Sequence, residues 1–369
     1  MPQPPTPSWS ASLLRRDLSA RAHNLARTQQ LLHEIAPGSD PTIIFGRDEQ
    51  GRHGNFHPAS DVAICANPAW LHRLTKPHTA SRRSRARKDW QWMELDTCNS
   101  SDALLMNIFC HPGVFDGHTI APPIARLLNV DPTSQPSFGI TPGVPLRTTR
   151  KGRSKLPSEL TDRTEIDLQL DTLFLEAKLT ESSFQTAPLR LIERYRDLEA
   201  VFDLTRLPRK PIYTPATHPP TEDYSQLEDA FEADAAISNE AAIINAVILS
   251  EAQSAKSKNP RISHGPPPTS IEAGANLNKL QSPSSSRTLI NGYQLIRNVL
   301  AAYANDASFC VLCDIRRKDL IEIWYAVLSA VHSPTFATRL KLLTWQELST
   351  TLPHDLQQFL DAKYGILPT

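Results

Sequence analysis

Two apolar rhythms alternate along the chain, one close to helical spacing and one of period two. Residues 8–35 place Leu13, Leu14, Leu18, Leu25 and Leu32 loosely on a helical stripe, with Pro37-Gly38 as a stop, which predicts an N-terminal helix. The stretch "HPASDVAICANPAWLHRLTKPH" (57–78) is mixed and predicts short helices. In "WQWMELDTCNSSDALLMNIF" (90–109) a strand or turn leads into a helix capped at Ser100 or Ser101. Ala103, Leu104, Met106, Ile108 and Phe109 give that helix a broadly buried surface. Residues 111–156 are rich in Pro, Gly, Ser and Thr around one helical piece, "IARLLNV". Strict alternation then takes over in "TEIDLQLDTLFLEAKLTE" (164–181), which reads as two short strands and a turn. "PLRLIERYRDLEAVFDL" (188–204) and "TLINGYQLIRNVLAAYA" (288–304) predict helices. "SFCVLCD" predicts a strand, "RKDLIEIWYAVLSAV" a helix, "RLKLLTW" a strand and 353–364 a last helix. Helix, hairpin, helix, strand, helix is an α/β order.

The rhythm fails over 205–286. Prolines cluster at 208–220 and 266–268, serines dominate 282–286, and 211–255 contains no Lys or Arg. This predicts a linker or insertion, partly disordered, holding one acidic helix near 224–252. The expected organisation is a helical N-terminal region with a basic loop (1–89), a first core segment (90–205), the insertion (206–286), and a second core segment with a C-terminal helix (287–369).

Composition changes this picture mainly by exclusion. Lys plus Arg equals Asp plus Glu at 39 each, so any case for a nucleic-acid partner has to be local. With 13 glycines against 31 prolines, and no G-x-G-x-x-G, Walker A, G-x-S-x-G or H-E-x-x-H pattern, the common nucleotide-binding, serine-hydrolase and zincin signatures are missing. The opening "MPQPPTPSWSASLLRRDL" has no apolar h-region, so no secretory signal is expected. The longest apolar run, "AAIINAVIL", is too short to span a bilayer. Five cysteines, an odd number, fit a reducing cytoplasm better than a disulfide framework.

Chemistry concentrates in the hairpin. Alternation sets Ile166, Leu168, Leu170, Leu173, Leu175 and Ala177 on one face, and Glu165, Asp167, Gln169, Phe174, Glu176 and Lys178 on the other. If Asp171 and Thr172 form the turn, Asp167 lies opposite Glu176 and Glu165 opposite Lys178. Facing carboxylates about 5 Å apart repel, and one takes up a proton unless a cation sits between them. A hard divalent ion such as Mg²⁺ or Mn²⁺ suits the pair, with room left for water and a phosphate oxygen. Lys178 can then neutralise charge on a pentacovalent phosphate or position water, which makes a minimal phosphodiester-hydrolysis site. The bland alternative is a solvated charged face. Against it, "TLFLEAK" is apolar up to its charges, as a buried central strand is, and Phe174 and Leu175 would desolvate Glu176.

The arrangement Asp167-x8-Glu176-x-Lys178 on adjacent strands resembles the PD-(D/E)XK nuclease superfamily. The resemblance implies a restriction-endonuclease-like core of α-β-β-β-α-β order, a mixed central sheet flanked by helices, Mg²⁺ (or Mn²⁺) dependence, and cleavage of DNA, less often RNA. It implies Asp167 and Glu176 as metal ligands and Lys178 as the catalytic lysine. Ile166 stands where the motif has proline, a mild departure. An acid from the preceding helix often joins such sites; Glu94, Asp96 and Asp102 are available, and Glu94 is the first choice. Gln294 corresponds to the glutamine that follows the motif in some branches, and Glu165 is placed to temper Lys178. One such site cuts one strand, so a homodimer is the expectation for a double-strand cut. The alternative readings are a repair or mobile-element nuclease with the same site, or a catalytically idle DNA-binding or assembly module that keeps the fold.

Two basic runs flank the hairpin in sequence: Arg82, Arg83, Arg85, Arg87 and Lys88, then Arg150, Lys151 and Arg153. Either can hold a phosphate backbone or be a solvated loop. Cys310 and Cys313 have C-x-x-C spacing but sit on opposite faces of an apolar strand, which reads as core rather than zinc or iron–sulfur ligation. His111, Asp116 and His118 lie close together in a Pro/Gly loop, where a metal site is the weaker reading. Trp90, Trp92, Trp324 and Trp345 read as core or interface. "LDAKY" (360–364) repeats the acid-x-lysine spacing in a helix and carries no such meaning.

Overall fold

Three adjacent strands, Pro136–Ile140, Ile166–Leu170 and Leu173–Ala177, run antiparallel to one another in turn and form one side of a five-stranded sheet. In this computed structural model the described residues are 8–36, 41–76, 93–147, 160–211 and 288–369. After the third strand the chain crosses by helix Tyr293–Ala304 to strand Ser308–Cys313, which lies parallel to it. Helix Lys318–Ser329 then returns to the outer parallel strand, Leu340–Thr344. The sheet is therefore mixed, and Leu173–Ala177 is its central strand, buried at every position. This is a restriction-endonuclease-like α/β core.

Alternation splits the core into a layer on each face of the sheet. Leu168, Leu170, Leu173, Leu175, Cys310 and Leu312 pack with helix Ser101–Phe109 and with Leu14 and Leu18 of the N-terminal helix. Phe174, Phe309, Val311 and Cys313 pack with helices Tyr293–Ala304 and Lys318–Ser329. Cys310 and Cys313 do fall in opposite layers, and Trp324 and Trp345 are buried.

Four expectations change. The N-terminal helix spans Ala11–Thr28, not 8–35. Gln30 turns left-handed (φ +53°) and Leu31 folds back onto Ala26, so the chain leaves as strand His33–Ala36, paired with Thr42–Phe45. The 188–204 helix is two short ones, Leu189–Ile192 and Leu198–Val201. Between them the Arg147 N–H bonds the Arg194 carbonyl and the Arg196 N–H bonds Pro145, so tertiary partners take the groups a helix would need. Residues 288–291 form a strand, and the helix after it begins at Tyr293, capped by Gly292, which holds φ +76°. Strand Pro136–Ile140 was hidden by its own proline and glycine; both are tolerated because it is an edge strand. The basic clusters, Trp90, Trp92 and the acidic helix of 224–252 lie outside the described residues.

Candidate active site

The hairpin closes as the pairing arithmetic requires and opens where the acids stand. Asp171 takes φ +50° in the turn, as Asp tolerates, and the ladder pairs Leu170 with Leu173, Gln169 with Phe174 and Leu168 with Leu175. Beyond Leu168 it ends. The Ala177 N–H donates to Asp167 Oδ2 (2.8 Å), while the Lys178 N–H donates to the Leu312 carbonyl (2.8 Å). The central strand stays docked on its parallel neighbour as Asp167 leaves its antiparallel one. Ile166, expected on the face of Leu168 and Leu170, consequently packs in the layer of Phe174. On the other side the edge strand gives way too: Phe138 pairs with Leu168 and Ile140 with Ile166, but Gly139, at φ +62°, pairs with nothing opposite Asp167.

Glu176 is 1 % exposed, and both of its oxygens are engaged. Oε1 accepts from Lys178 Nζ (2.9 Å) and Gln294 Nε2 (2.5 Å), and Oε2 from Asn298 Nδ2 (2.8 Å). Gln294 and Asn298 are one turn apart on the same helix face, and Asn298 Oδ1 accepts from Thr164 Oγ1 (3.3 Å). Asn298 was missed by sequence reading; its signal was its spacing, four residues after Gln294. Burial pushes Glu176 up against the pull of Lys178. Burial, then Glu176, then Asp102 push the Asp167 carboxyl well above the ordinary range, with Lys178 and Lys76 opposing. Burial works against the Lys178 ammonium, but Glu176, Glu181 and Asp167 outweigh it and keep the net shift upward. Glu181 ties this end together, accepting from the Leu179 N–H and from Ser101 Oγ.

A second group of charges adjoins Asp167. Asp102, in the first turn of helix Ser101–Phe109, offers an oxygen within 4.8 Å of oxygens from Glu165 and Asp167. Arg73 Nη2 donates to Asp102 Oδ2 (2.8 Å) and Glu165 Oε1 (2.6 Å), and Lys76 Nζ reaches the same two oxygens at 3.0 and 2.9 Å. Burial pushes Asp102 and Glu165 up, but Lys76 and Arg73 outweigh it and leave both low. Glu165 therefore answers Arg73 and Lys76 rather than Lys178, the partner that cross-strand pairing suggested. Glu94 sits 3.3 Å from Lys76 Nζ and outside the three-carboxylate group, where Asp102 stands in its place. Asp96 points away, to His53 Nε2 (3.1 Å).

Half-buried Asp167 and buried Glu176 offer oxygen donors only, with a single ammonium, Lys178, bonded to the pair, and such a donor set fits a hard divalent ion. The other histidine candidates go elsewhere: Asp116 Oδ1 accepts the His118 and Thr119 N–H groups within its own turn, and His111 lies 3.3 Å from Asp355. All five cysteines are free thiols. Among the described residues no helix is long and apolar enough to cross a membrane.

A family model described as Restriction Endonuclease associating with ARP matches residues 29–228 and 250–365, most of the chain. No curated protein and no solved structure matches it.

Proposed function

The chain belongs to the family Restriction Endonuclease associating with ARP, and from that premise we propose that it is a divalent-metal-dependent endonuclease of PD-(D/E)XK type that hydrolyses DNA at Asp167, Glu176 and Lys178. The observation that carries this reading is buried Glu176, with the Lys178 ammonium on its Oε1, beside the half-buried Asp167 carboxyl, which burial and then Glu176 push well above the ordinary range. Asp167 and Glu176 would hold a Mg²⁺ or Mn²⁺ ion. When bound, such an ion polarises the phosphoryl group and makes the attacking water more acidic.

The chain's own groups do the rest. Gln294 and Asn298 fix the rotation of the Glu176 carboxylate, so its free lone pairs keep one direction. Against its burial, Glu176, Glu181 and Asp167 favour the Lys178 ammonium. Lys178 acts as a fixed donor toward the charge that develops on the phosphoryl oxygens as water adds and an ester oxygen leaves. The central strand positions it rigidly through the Leu312 carbonyl on one side and the Trp345 indole, bonded to the Lys178 carbonyl (3.0 Å), on the other. Free thiols at every cysteine support a cytoplasmic setting, and a homodimer supplies the second site that a double-strand cut requires.

Plasmid nicking tests the reading. Cleavage with Mg²⁺, loss in EDTA and loss in Lys178→Ala are expected. Cleavage without metal, or an unimpaired Lys178→Ala protein, defeats it. DNA binding without cleavage by the wild type would favour the idle module.

A further inference from the structure

By donor type alone, Asp102, Glu165 and Asp167 look like a second metal site. Their oxygens lie within 4.8 Å of one another, beside the first pair. Their cation is already present. Lys76 Nζ lies 2.9 Å from Glu165 Oε1, 3.0 Å from Asp102 Oδ2 and 3.3 Å from Glu94 Oε1, so one ammonium faces three carboxylates. Arg73 Nη2 reaches the first two of those same oxygens at 2.6 and 2.8 Å. Both lone pairs of each oxygen are thus taken, and an ion that took one would have to displace Lys76 or Arg73. Asp102 is 6 % and Arg73 11 % exposed at the side chain, so water would compensate little.

We propose that Lys76, supported by Arg73, fills the place of a second metal ion, so that the site takes a single divalent cation, between Asp167 and Glu176. This rests on reading that pair as a metal site. Hydrogen bonding separates the two halves: Asp102 Oδ2 and Glu165 Oε1 each accept from both Arg73 and Lys76, whereas Asp167 Oδ2 accepts from the Ala177 N–H and Glu176 Oε2 from Asn298, neither of them a cation. A divalent ion displaces a cationic donor least readily. Gly139 makes the arrangement possible, because a Cβ there would come within 2.1 Å of Arg73 Nη1. Lys76 is thus a positioning residue: it holds Asp102 and Glu165 in one orientation beside Asp167.

Ion stoichiometry tests this without reference to cleavage. Free Mn²⁺ is titrated by electron paramagnetic resonance against the full chain, Lys76→Ala and Lys76→Arg, with circular dichroism to check folding. The expected result is one ion for wild type, two for Lys76→Ala and one for Lys76→Arg. Two ions in wild type, or one in folded Lys76→Ala, overturns the inference while leaving the Asp167–Glu176 reading intact. No ion in wild type overturns it too, and removes the Asp167–Glu176 reading with it. If Lys76→Ala fails to fold, the wild-type count decides: two ions overturn the proposal and one, unchanged in Lys76→Arg, upholds it.

Discussion

Replacing Asp167 by Asn separates a metal site from a solvated charged face through stability alone. Asn matches Asp in shape, and its Oδ1 can keep the bond from the Ala177 N–H; what disappears is the charge. At about 5 Å and an effective permittivity of about 20, the repulsion between Asp167 and Glu176 is about 3 kcal/mol. Lys178 returns part of that, so in EDTA the Asn variant should be more stable by about 1–2 kcal/mol, or about 3–6 °C in Tm. Mg²⁺ reverses the order. At a hundredfold excess over Kd the wild type gains about 2.7 kcal/mol, and the variant, with one ligand gone, gains far less. The assay is a pair of thermal melts, with EDTA and with Mg²⁺, and the expected sign is a crossing of the two rankings. Acidification in EDTA adds a check. The folded-state value of Asp167 lies above its unfolded one, so its contribution to stability is fully present at low pH and is lost as pH rises through the folded value. The gap between variant and wild type should therefore close as pH falls. A wild type indifferent to Mg²⁺, or an Asn variant less stable in EDTA, refutes the reasoning.

Gly139→Ala should cost about 3 kcal/mol in urea unfolding, about 1 for a left-handed alanine and about 2 for driving Arg73 off its carboxylates. Gly51→Ala, also left-handed but with nothing near its Cβ, should cost only about 1 kcal/mol; equal losses would mean that Arg73 moves freely. Lys363→Met should lower the urea midpoint by the equivalent of about 2 kcal/mol, because it strips the buried Asn55 Oδ1 of its Lys363 donor and leaves the Asn55 carbonyl to Asn107. An unchanged midpoint would show those bonds to be dispensable. Burial holds His57 and His111 below the ordinary histidine value of 6.5, so their contribution is present above that value and is lost as pH falls through the folded ones. Tm should drop from pH 7 to pH 5, and less steeply in His111→Asn, whose amide oxygen can still accept the Gly113 N–H; parallel curves would exclude His111 as a source.

What local pattern can reveal is direction, and direction was enough for half of the site. Period-two alternation and a two-residue turn set the register through Leu168 and Leu175, at whose open end Asp167 and Glu176 stand, and an apolar run ending in charges marks a central strand. The resemblance to a nuclease motif followed from those positions. Counter-charges obey no such rule, since they arrive from wherever the fold brings them. Arg73 and Lys76 reach Glu165 from some ninety residues upstream, and Arg73 does so through space that Gly139 leaves open in a strand that looked like loop. Glu165 was matched with Lys178 on cross-strand logic, but the ladder that logic assumes stops at Leu168. Lys363 makes the same point from outside the site. Its acid-x-lysine spacing is without catalytic meaning, yet the lysine is fully buried, bonded to Asn55 Oδ1 (2.5 Å) and lying over the Tyr364 and Phe45 rings at 4.8 and 5.2 Å. A titratable residue therefore takes its role from the groups the fold brings to it. Asp102 Oδ2 and Glu165 Oε1 each hold both Arg73 and Lys76, whereas Asp167 Oδ2 holds the Ala177 N–H, and the proposed metal ion rests on that difference.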